Sequence, residues 1–354
     1  MYALIRRNRQ PTALRHLVSA LQRQAPSSLG QATGSSLPSH HIFCAGTYTP
    51  VFARLAAESV LASCPAELRS ELRLFIHVDG VAARARPALL EWLREIPGVE
   101  VTYGLFGILS RDRIPGKWHQ VMINDIIRLF KSEPHLAFVD ADLFLAGNAW
   151  WQLCQQQLRD DLFALSAGLR QNRQLLLGGA RYCPIKTNLF TLNTRAYLDL
   201  NLQRFNKDER ALVLLRQEYP QGRLDAPNID TLIAASLRAQ AHGLRVEDVD
   251  GRVDYCHVGG FSHLRVNKFQ GYEAPENRAT IEAWLARLRL LSRVLELFLA
   301  RGWGAFVDQE YRRNVEQARI LVRDNPILGR MLDQVPQTRH EQVFEQLFGS
   351  EAHA

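Results

Sequence analysis

Two aspartates one residue apart are the strongest chemical signal in this sequence. The segment from Ala137 to Leu145 reads AFVDADLFL, so Asp140 and Asp142 separate two short apolar runs. Short apolar runs containing Phe and Val are typical of buried strands, which places both carboxylates at a strand end. Neighbouring carboxylates repel unless a cation lies near them, and hard oxygen ligands suit Mg²⁺ or Mn²⁺. The pair indicates a metal site for a phosphate-bearing substrate or, in the simpler interpretation, an acidic turn.

A histidine followed by two glycines is the second signal. The segment from Tyr255 to His263 reads YCHVGGFSH, and His257 ends a predicted strand. A neutral imidazole can complete a carboxylate metal site. Glycines let the backbone approach a ligand closely, and their N–H groups can face phosphate oxygens. His257 is therefore either a partner of the two aspartates or a structural histidine of the core.

Alternating strands and helices precede the aspartates and would position them. The pattern predicts strands at His41–Ala45, Leu72–Val78 and Val99–Thr102. It also predicts three helices, one that begins at Pro50, one at Arg86–Arg94 and one at Lys117–Phe130. This alternation predicts an α/β fold with a mainly parallel sheet covered by helices. Ligands bind at the carboxyl ends of such strands. Tyr48, Asp79, Asp140 and Asp142 all follow predicted strands, so we expect them at one crevice.

The remainder of the chain is less regular. It predicts a mobile loop at Gly168–Tyr182, a helix at Ile229–Gln240, and short strands at Leu162–Ser166, Asn188–Leu192, Leu244–Asp248 and Val253–His257. From Glu276 onward the pattern is helical, with a wide apolar face. We therefore divide the chain into an N-terminal helix and flexible linker (1–38), an α/β domain (39–270) and a C-terminal helical region (271–354).

Composition narrows the function classes. The 354 residues are 47% hydrophobic and 22% charged, as in ordinary soluble proteins, and no apolar run approaches the length of a transmembrane helix. The basic N-terminus lacks the apolar core of a secretory signal. Five scattered cysteines without a Cys-x-x-Cys pair favour a reducing cytoplasm over a disulfide framework. A net charge of +7 favours anionic partners, with peripheral contact at the inner face of the membrane as one option. Nucleic acid is not expected, because no binding motif for it is present.

The two motifs together resemble the GT-A glycosyltransferases, most closely retaining glycosyltransferase family 8 and its relatives. The resemblance covers roughly residues 40–268 and rests on FVDAD, which ends at Asp142, and on HVGG, which begins at His257. It implies a GT-A-like catalytic domain in which Asp140, Asp142 and His257 bind Mn²⁺ (or Mg²⁺). The metal would hold the diphosphate of a nucleotide sugar, with a UDP-sugar as the expected donor. A glycan, a lipid-linked molecule or a protein would accept the sugar with retention of configuration.

The resemblance also implies roles for further residues. Donor-binding positions would be Tyr48 against the nucleobase, Asp79 near the base, Lys117 near the phosphate or sugar, Asn188 in the sugar pocket, and Gly260, His263 and Lys268 near the diphosphate. Asp230 corresponds to an acidic residue on the acceptor side, although at a helix start it would also favour the helix dipole. The family often has lysine where this chain has His263, and Arg265 or Lys268 could replace it.

Other interpretations remain open from the sequence. A haloacid-dehalogenase-type phosphatase also carries an apolar strand that ends in Asp-X-Asp, but its aspartates usually follow the first strand and here three predicted strands come first. A sugar nucleotidyltransferase would need a glycine-rich phosphate loop after the first strand, which this chain lacks. The chain could also be a catalytically silent nucleotide-binding module.

Overall fold

The computed structural model describes residues 37–45, 50–79, 86–103, 115–167, 175–177, 180–182, 185–205, 213, 217–218, 232–259 and 278–352. The chain divides into two compact units. The first, here the sheet unit, comprises Met1–Gly46, Cys64–Asp140 and Asn148–Val253. The second, here the helical unit, comprises Thr47–Ser63, Ala141–Gly147 and Asp254–Ala354.

The strands, in chain order, are β1 Ser39–Ala45, β2 Leu74–Asp79, β3 Val99–Tyr103, β4 His135–Asp140, β5 Leu143–Ala146, β6 Leu162–Ser166, β7 Leu175–Leu177, β8 Ala180–Tyr182, β9 Leu189–Asn193, β10 Arg245–Asp248 and β11 Asp254–His257. The helices are α1 Pro50–Ser63, α2 Arg86–Arg94, α3 Pro115–Leu129, α4 Ala149–Gln157, α5 Thr194–Asp199, α6 Ile233–Ala241, α7 Arg278–Ala300, α8 Gln309–Asp324, α9 Pro326–Gln334 and α10 Arg339–Ala352. Short 3-10 helices lie at Ala66–Leu68, Leu202–Phe205 and Trp303–Phe306.

The sheet unit is built on a mostly parallel sheet, as the alternating pattern predicts. Its strands follow the order β10-β6-β9-β4-β1-β2-β3. The pairs β1–β2, β1–β4, β2–β3 and β10–β6 are parallel, whereas β9 runs antiparallel to β4 and β6. The predicted α/β fold class with a mainly parallel sheet is confirmed.

Aromatic side chains hold the centre of this sheet. Phe138 on β4 stacks on Phe43 at 5.5 Å and on Phe190 at 4.9 Å between ring centroids. Helix α3 adds buried Ile123 and Ile126 to the same core. Each such side chain stabilises the fold by about 1.5–3 kcal/mol when it is fully buried. The run AFV is therefore fixed within the sheet, and the strand that contains it delivers Asp140 to its carboxyl end.

A chain of mostly buried polar groups crosses this sheet, from Glu133 just before β4 through β1 and β2 to β3. Ser39 donates to the carboxylate of Glu133, and His41 Nε2 contacts the Ser39 hydroxyl at 2.8 Å. His41 Nδ1 lies 2.8 Å from His77 Nε2, and His77 Nδ1 contacts the Thr102 hydroxyl. Burial lowers the pKa of both histidines, so each imidazole is neutral. Because a carboxylate only accepts, the donors then run from Thr102 through both histidines to Glu133. Both imidazoles are therefore protonated at Nε2.

The helical unit is held by an apolar face along α7, as the sequence pattern predicts. Helix α7 buries Trp284, Leu291 and Phe298, and Phe298 packs edge-on against Phe52 of α1 at 4.9 Å. It ends before Gly302, whose φ of 73° suits glycine. Within the described helices, none combines the length and apolar character that crossing a bilayer requires.

Two local predictions are correct only in part. The segment predicted as a mobile loop, Gly168–Tyr182, contains the antiparallel pair β7–β8, because its three consecutive leucines form a strand. The helix predicted from Ile229 begins instead at Ile233, since Leu232 has a left-handed φ of 63° that a helix cannot continue through. The helical stripe predicted in residues 10–23 lies outside the described residues.

Candidate metal centre

The first candidate ligand, Asp140, lies at the end of β4. Its strand pairs in parallel with β1, where Phe43 lies opposite Asp140. The Asp140 amide donates to the carbonyl of Asn188 at 2.7 Å, which extends the contact with the start of β9. Asp140 is half-buried, whereas every other residue of β4 is buried. The strand thus ends where its carboxylate first becomes accessible.

The other two candidate ligands lie on a two-stranded ribbon in the helical unit. Strands β5 and β11 are antiparallel, with His257 opposite Leu143. The Val258 amide donates to the carbonyl of Asp142 at 3.0 Å, so the pairing continues to the aspartate itself. Across the ribbon, His257 Nε2 lies 3.3 Å from Asp142 Oδ1. The Asp142 side chain is 10% exposed and that of His257 is 24% exposed, which leaves an approach from solvent.

Asp140, Asp142 and His257 together form a group that fits a divalent cation. One ligand atom from each residue lies within 4.8 Å of the others. Ligand atoms about 2.1 Å from one ion lie at most about 4.2 Å apart, so small side-chain movements would complete the coordination. Two carboxylate oxygens and one imidazole nitrogen suit Mn²⁺ or Mg²⁺ rather than a soft, thiolate-binding metal. The donor set and its spacing therefore fit the ion that the sequence predicts.

The neighbouring cysteine does not join this donor set. Cys256 lies between Tyr255 and His257 on β11, and its side chain is buried. Burial, together with the nearby carboxylates of Asp142 and Glu341, holds the pKa of the Cys256 thiol well above its ordinary value. Successive side chains of a strand point to opposite faces, so the Cys256 side chain points away from the face that carries the His257 imidazole. A thiol that keeps its proton is also a poor nucleophile.

Gly259 supports the imidazole of His257, a role that the sequence interpretation missed. Its φ is +46°, in the left-handed region that favours glycine. A Cβ at this position would lie 2.8 Å from His257 Cε1 and 3.2 Å from its Nδ1. The imidazole therefore lies directly on the backbone of Gly259. The glycine pair after His257 was the available signal, but only the folded backbone shows which glycine faces the ring.

Replacing Gly259 by alanine is expected to weaken Mn²⁺ binding about 10-fold or more, because a group that orients a ligand contributes on this scale. The added methyl would displace the His257 ring from its present position, 3.3 Å from the Asp142 carboxylate. Titration calorimetry with Mn²⁺ would measure the change. The matched control is Gly243→Ala, since Gly243 also has a left-handed φ, of +83°, but nothing lies near its would-be Cβ. If both substitutions weaken Mn²⁺ binding equally, the weaker binding results from backbone strain and not from the contact between Gly259 and the His257 ring.

The remaining predicted site residues are placed only in part. Asn188 is half-buried, and its carbonyl accepts the Asp140 amide. Asp79 ends β2, opposite Ala45 of β1, and Lys117 lies in the first turn of α3. The other predicted positions lie outside the described residues, namely Tyr48, Asp230, Gly260, His263, Arg265 and Lys268. The roles of all of these residues stay predictions.

Comparisons with known proteins give similarity at the level of structure only. No protein-family profile and no curated protein sequence matches the chain. The bifunctional glycosyltransferase WbbM is similar with a TM-score of 0.38 and 10% identity, over 62% of this chain and 40% of WbbM. The galactosyltransferase LgtC, solved with donor and acceptor sugar analogues, is similar with a TM-score of 0.39 and 13% identity, over 59% of this chain and 73% of LgtC.

A third similar structure is the mannosyltransferase PcManGT from Pyrobaculum calidifontis, solved with GDP-Man and Mn²⁺. Its TM-score is 0.41 and its identity 9%, over 94% of this chain and 91% of PcManGT. The chain thus spans less than half the length of WbbM and most of PcManGT. Identities and TM-scores this low establish neither a family nor an activity for this chain.

Proposed function

We propose that this protein is a metal-dependent glycosyltransferase that moves a sugar from a UDP-sugar to a glycan, lipid-linked or protein acceptor. One observation carries the proposal, namely the approach of Asp140, Asp142 and His257 to within ligand distance of one another. The GT-A-like motif FVDAD supplies the first two residues, and HVGG supplies the third. A net charge of +7 agrees with an anionic donor.

Asp140, Asp142 and His257 would hold Mn²⁺ or Mg²⁺. A bound divalent ion supplies charge stabilisation for a diphosphate leaving group. The two carboxylates contribute the negative charge that retains the cation, and the neutral imidazole contributes a ligand without further charge. Gly259 has no side chain, which leaves room for the His257 imidazole beside the Asp142 carboxylate. In the reaction, the bond from the anomeric carbon to the diphosphate oxygen breaks, the acceptor oxygen forms the new bond, and the acceptor proton leaves with the diphosphate.

The roles proposed for the other site residues come from the resemblance of the sequence to GT-A glycosyltransferases. Donor contacts are assigned to Tyr48, Asp79, Lys117, Asn188, Gly260, His263 and Lys268, and an acceptor-side role to Asp230. We expect retention of the donor's anomeric configuration, which proton NMR of the product would determine. An inverted product would require a carboxylate base. The haloacid-dehalogenase-type phosphatase is not favoured, because Asp140 ends the fourth strand rather than the first.

A UDP-sugar is expected to stabilise the protein strongly only when Mn²⁺ or Mg²⁺ is present. At 100 times its dissociation constant a ligand stabilises the native state by about 2.7 kcal/mol, which raises the melting temperature by several degrees. A thermal-shift series with UDP-sugars and GDP-sugars, each with Mn²⁺ and with EDTA, would measure this. If EDTA leaves both the nucleotide shift and the transferase activity unchanged, the metal-dependent proposal is wrong.

A further inference from the structure

The C-terminal helix packs directly on the ribbon that carries Asp142 and His257. Phe144 of β5 contacts two rings of α10, Phe344 at 6.3 Å and Phe348 at 5.7 Å between centroids. Phe144 is fully buried, and Cys256 lies opposite it on β11. The ribbon thus has an apolar support beneath it, and that support is supplied by residues far along the chain from either motif.

His340, at the start of α10, lies along the outer edge of β11. Its Nδ1 is 3.2 Å from the carbonyl oxygen of Tyr255 and 3.4 Å from the amide nitrogen of His257. Its ring also lies 5.6 Å from the ring of Tyr255. In an antiparallel pair, alternate residues point their backbone groups away from the partner strand. Tyr255 and His257 are two such residues, so the imidazole meets backbone groups that a third strand would otherwise pair.

No third strand pairs with this edge among the described residues, where β11 pairs with β5 alone. A strand of four residues at an edge frays readily, and its outward backbone groups need partners. According to its tautomer, the Nδ1 of His340 either donates to the Tyr255 carbonyl or accepts from the His257 amide. Either hydrogen bond links the end of strand β11 to helix α10.

The start of α10 is itself fixed by a buried ion pair. Glu341 has a fully buried side chain and receives two hydrogen bonds from Arg289 of α7, at 2.5 and 3.0 Å. Arg289 also donates to the carbonyls of Val335 and Pro336, each at 3.0 Å. Burial alone would raise the pKa of Glu341, but the hydrogen bonds from Arg289 and Thr338 hold it below its usual range. His340 therefore projects from a rigid helix start.

We propose that His340 is a positioning residue for the metal ligand His257, and this inference rests on the function proposed above. His340 holds the backbone from Tyr255 to His257 against α10, and the ribbon pairing holds the same backbone against Asp142. The imidazole of His257 is thereby kept 3.3 Å from the Asp142 carboxylate before any ion binds. Preorganised ligands bind a metal more tightly because less order must be gained on binding.

The test compares three full-length variants without and with metal. His340→Leu removes the polar atom but keeps the helix, and His340→Asn retains an amide close to the position of Nδ1. Arg339→Gln is the matched control, because Arg339 is the neighbouring residue and its bond to Asp254 on β11 is exposed. Hydrogen exchange of the His257 amide, followed by NMR in metal-free protein, reports how often this strand end opens, whichever of the two bonds His340 makes. Mn²⁺ titration reports its consequence at the site.

We expect His340→Leu to speed exchange of the His257 amide about 10-fold and to weaken Mn²⁺ binding about 10-fold, the scale of a ligand-orienting contact. His340→Asn should restore much of both, and Arg339→Gln should change neither. If His340→Leu lowers the melting temperature but leaves the His257 exchange rate unchanged, or raises exchange evenly across the helical unit, the residue is merely structural and the inference is wrong. Wild-type protein that binds no Mn²⁺ would instead refute the proposed function, while the exchange rates would still decide the role of His340.

Discussion

Asp142→Asn is expected to abolish the Mn²⁺-dependent stabilisation by UDP-sugars and to lower transferase activity roughly 100-fold or more, since a lost ligand costs at least as much as a lost orienting group. Asparagine keeps the volume of the buried side chain but removes its charge. Asp140 and His257 alone would form a much weaker cation site. The metal-free protein should be as stable as the wild type or more stable, because removing one of two adjacent carboxylates relieves their repulsion.

The matched control for this substitution is Asp254→Asn. Asp254 begins the strand that His257 ends, but its carboxylate is 61% exposed and pairs with Arg339 at the surface. An exposed pair of this kind contributes at most about 1 kcal/mol, so the control should retain both metal binding and activity. Titration with Mn²⁺, melting curves with and without UDP-sugar, and turnover would be measured for both variants. If the Asp142→Asn variant binds Mn²⁺ as tightly as the wild type does, Asp142 is not a ligand of the metal.

The local parts of the fold could be predicted from the sequence, because short-range patterns determine them. The apolar run before Asp140 is long enough to be a strand and too short to be a helix, and β4 forms there. The alternation of such runs with helical stripes predicts the mostly parallel sheet. The strand that ends at His257 was predicted in the same way. These features depend on neighbours within a few positions along the chain.

The supports of the site could not be predicted, because they depend on long-range packing. His340 lies 83 positions from His257, and its contact requires both the ribbon register and the helix that carries it. Gly259 and Gly260 look alike in sequence, and only backbone geometry shows that Gly259 lies under the imidazole. The chain of hydrogen bonds from Thr102 to Glu133 likewise joins four separate segments. Residue types indicate the chemistry of a ligand, but not what holds it in place.

Acid is expected to destabilise this protein well above the pH at which carboxylates titrate, because of its buried histidines. Burial lowers the pKa of His40 to about 4 and that of His77 to about 3. Burial also lowers the pKa of His41 well below its usual value, with smaller contributions from His77, His40 and Arg73. His40 is held neutral by geometry as well, since its Nε2 accepts from Trp150 at 2.9 Å and its Nδ1 faces the Pro38 carbonyl at 2.9 Å.

The direction of the pH effect follows from these lowered values. Between pH 6.5 and about 3–4 the unfolded chain takes up protons at His40 and His77 that the folded protein refuses. The contribution of these two histidines to the free energy of unfolding is therefore fully present above pH 6.5, and it is lost as the pH falls towards their folded-state pKa values. At pH 5 the protonation of each of these two histidines in the unfolded chain should lower the free energy of unfolding by about 2 kcal/mol. Their titration alone should therefore lower it by about 4 kcal/mol. Urea unfolding at pH 7.5 and 5.0 would measure the difference.

Two variants distinguish buried histidines from other acid effects. His77→Gln is expected to be less stable at pH 7.5, because it interrupts the chain of hydrogen bonds between His41 and Thr102. Its loss on acidification should nevertheless be about 2 kcal/mol smaller than in the wild type, since one titrating group is gone. His242→Gln is the control, because His242 is exposed and its removal should leave the wild-type difference unchanged. If His77→Gln loses as much stability between pH 7.5 and 5.0 as the wild type, the neutral buried histidines do not cause the acid sensitivity.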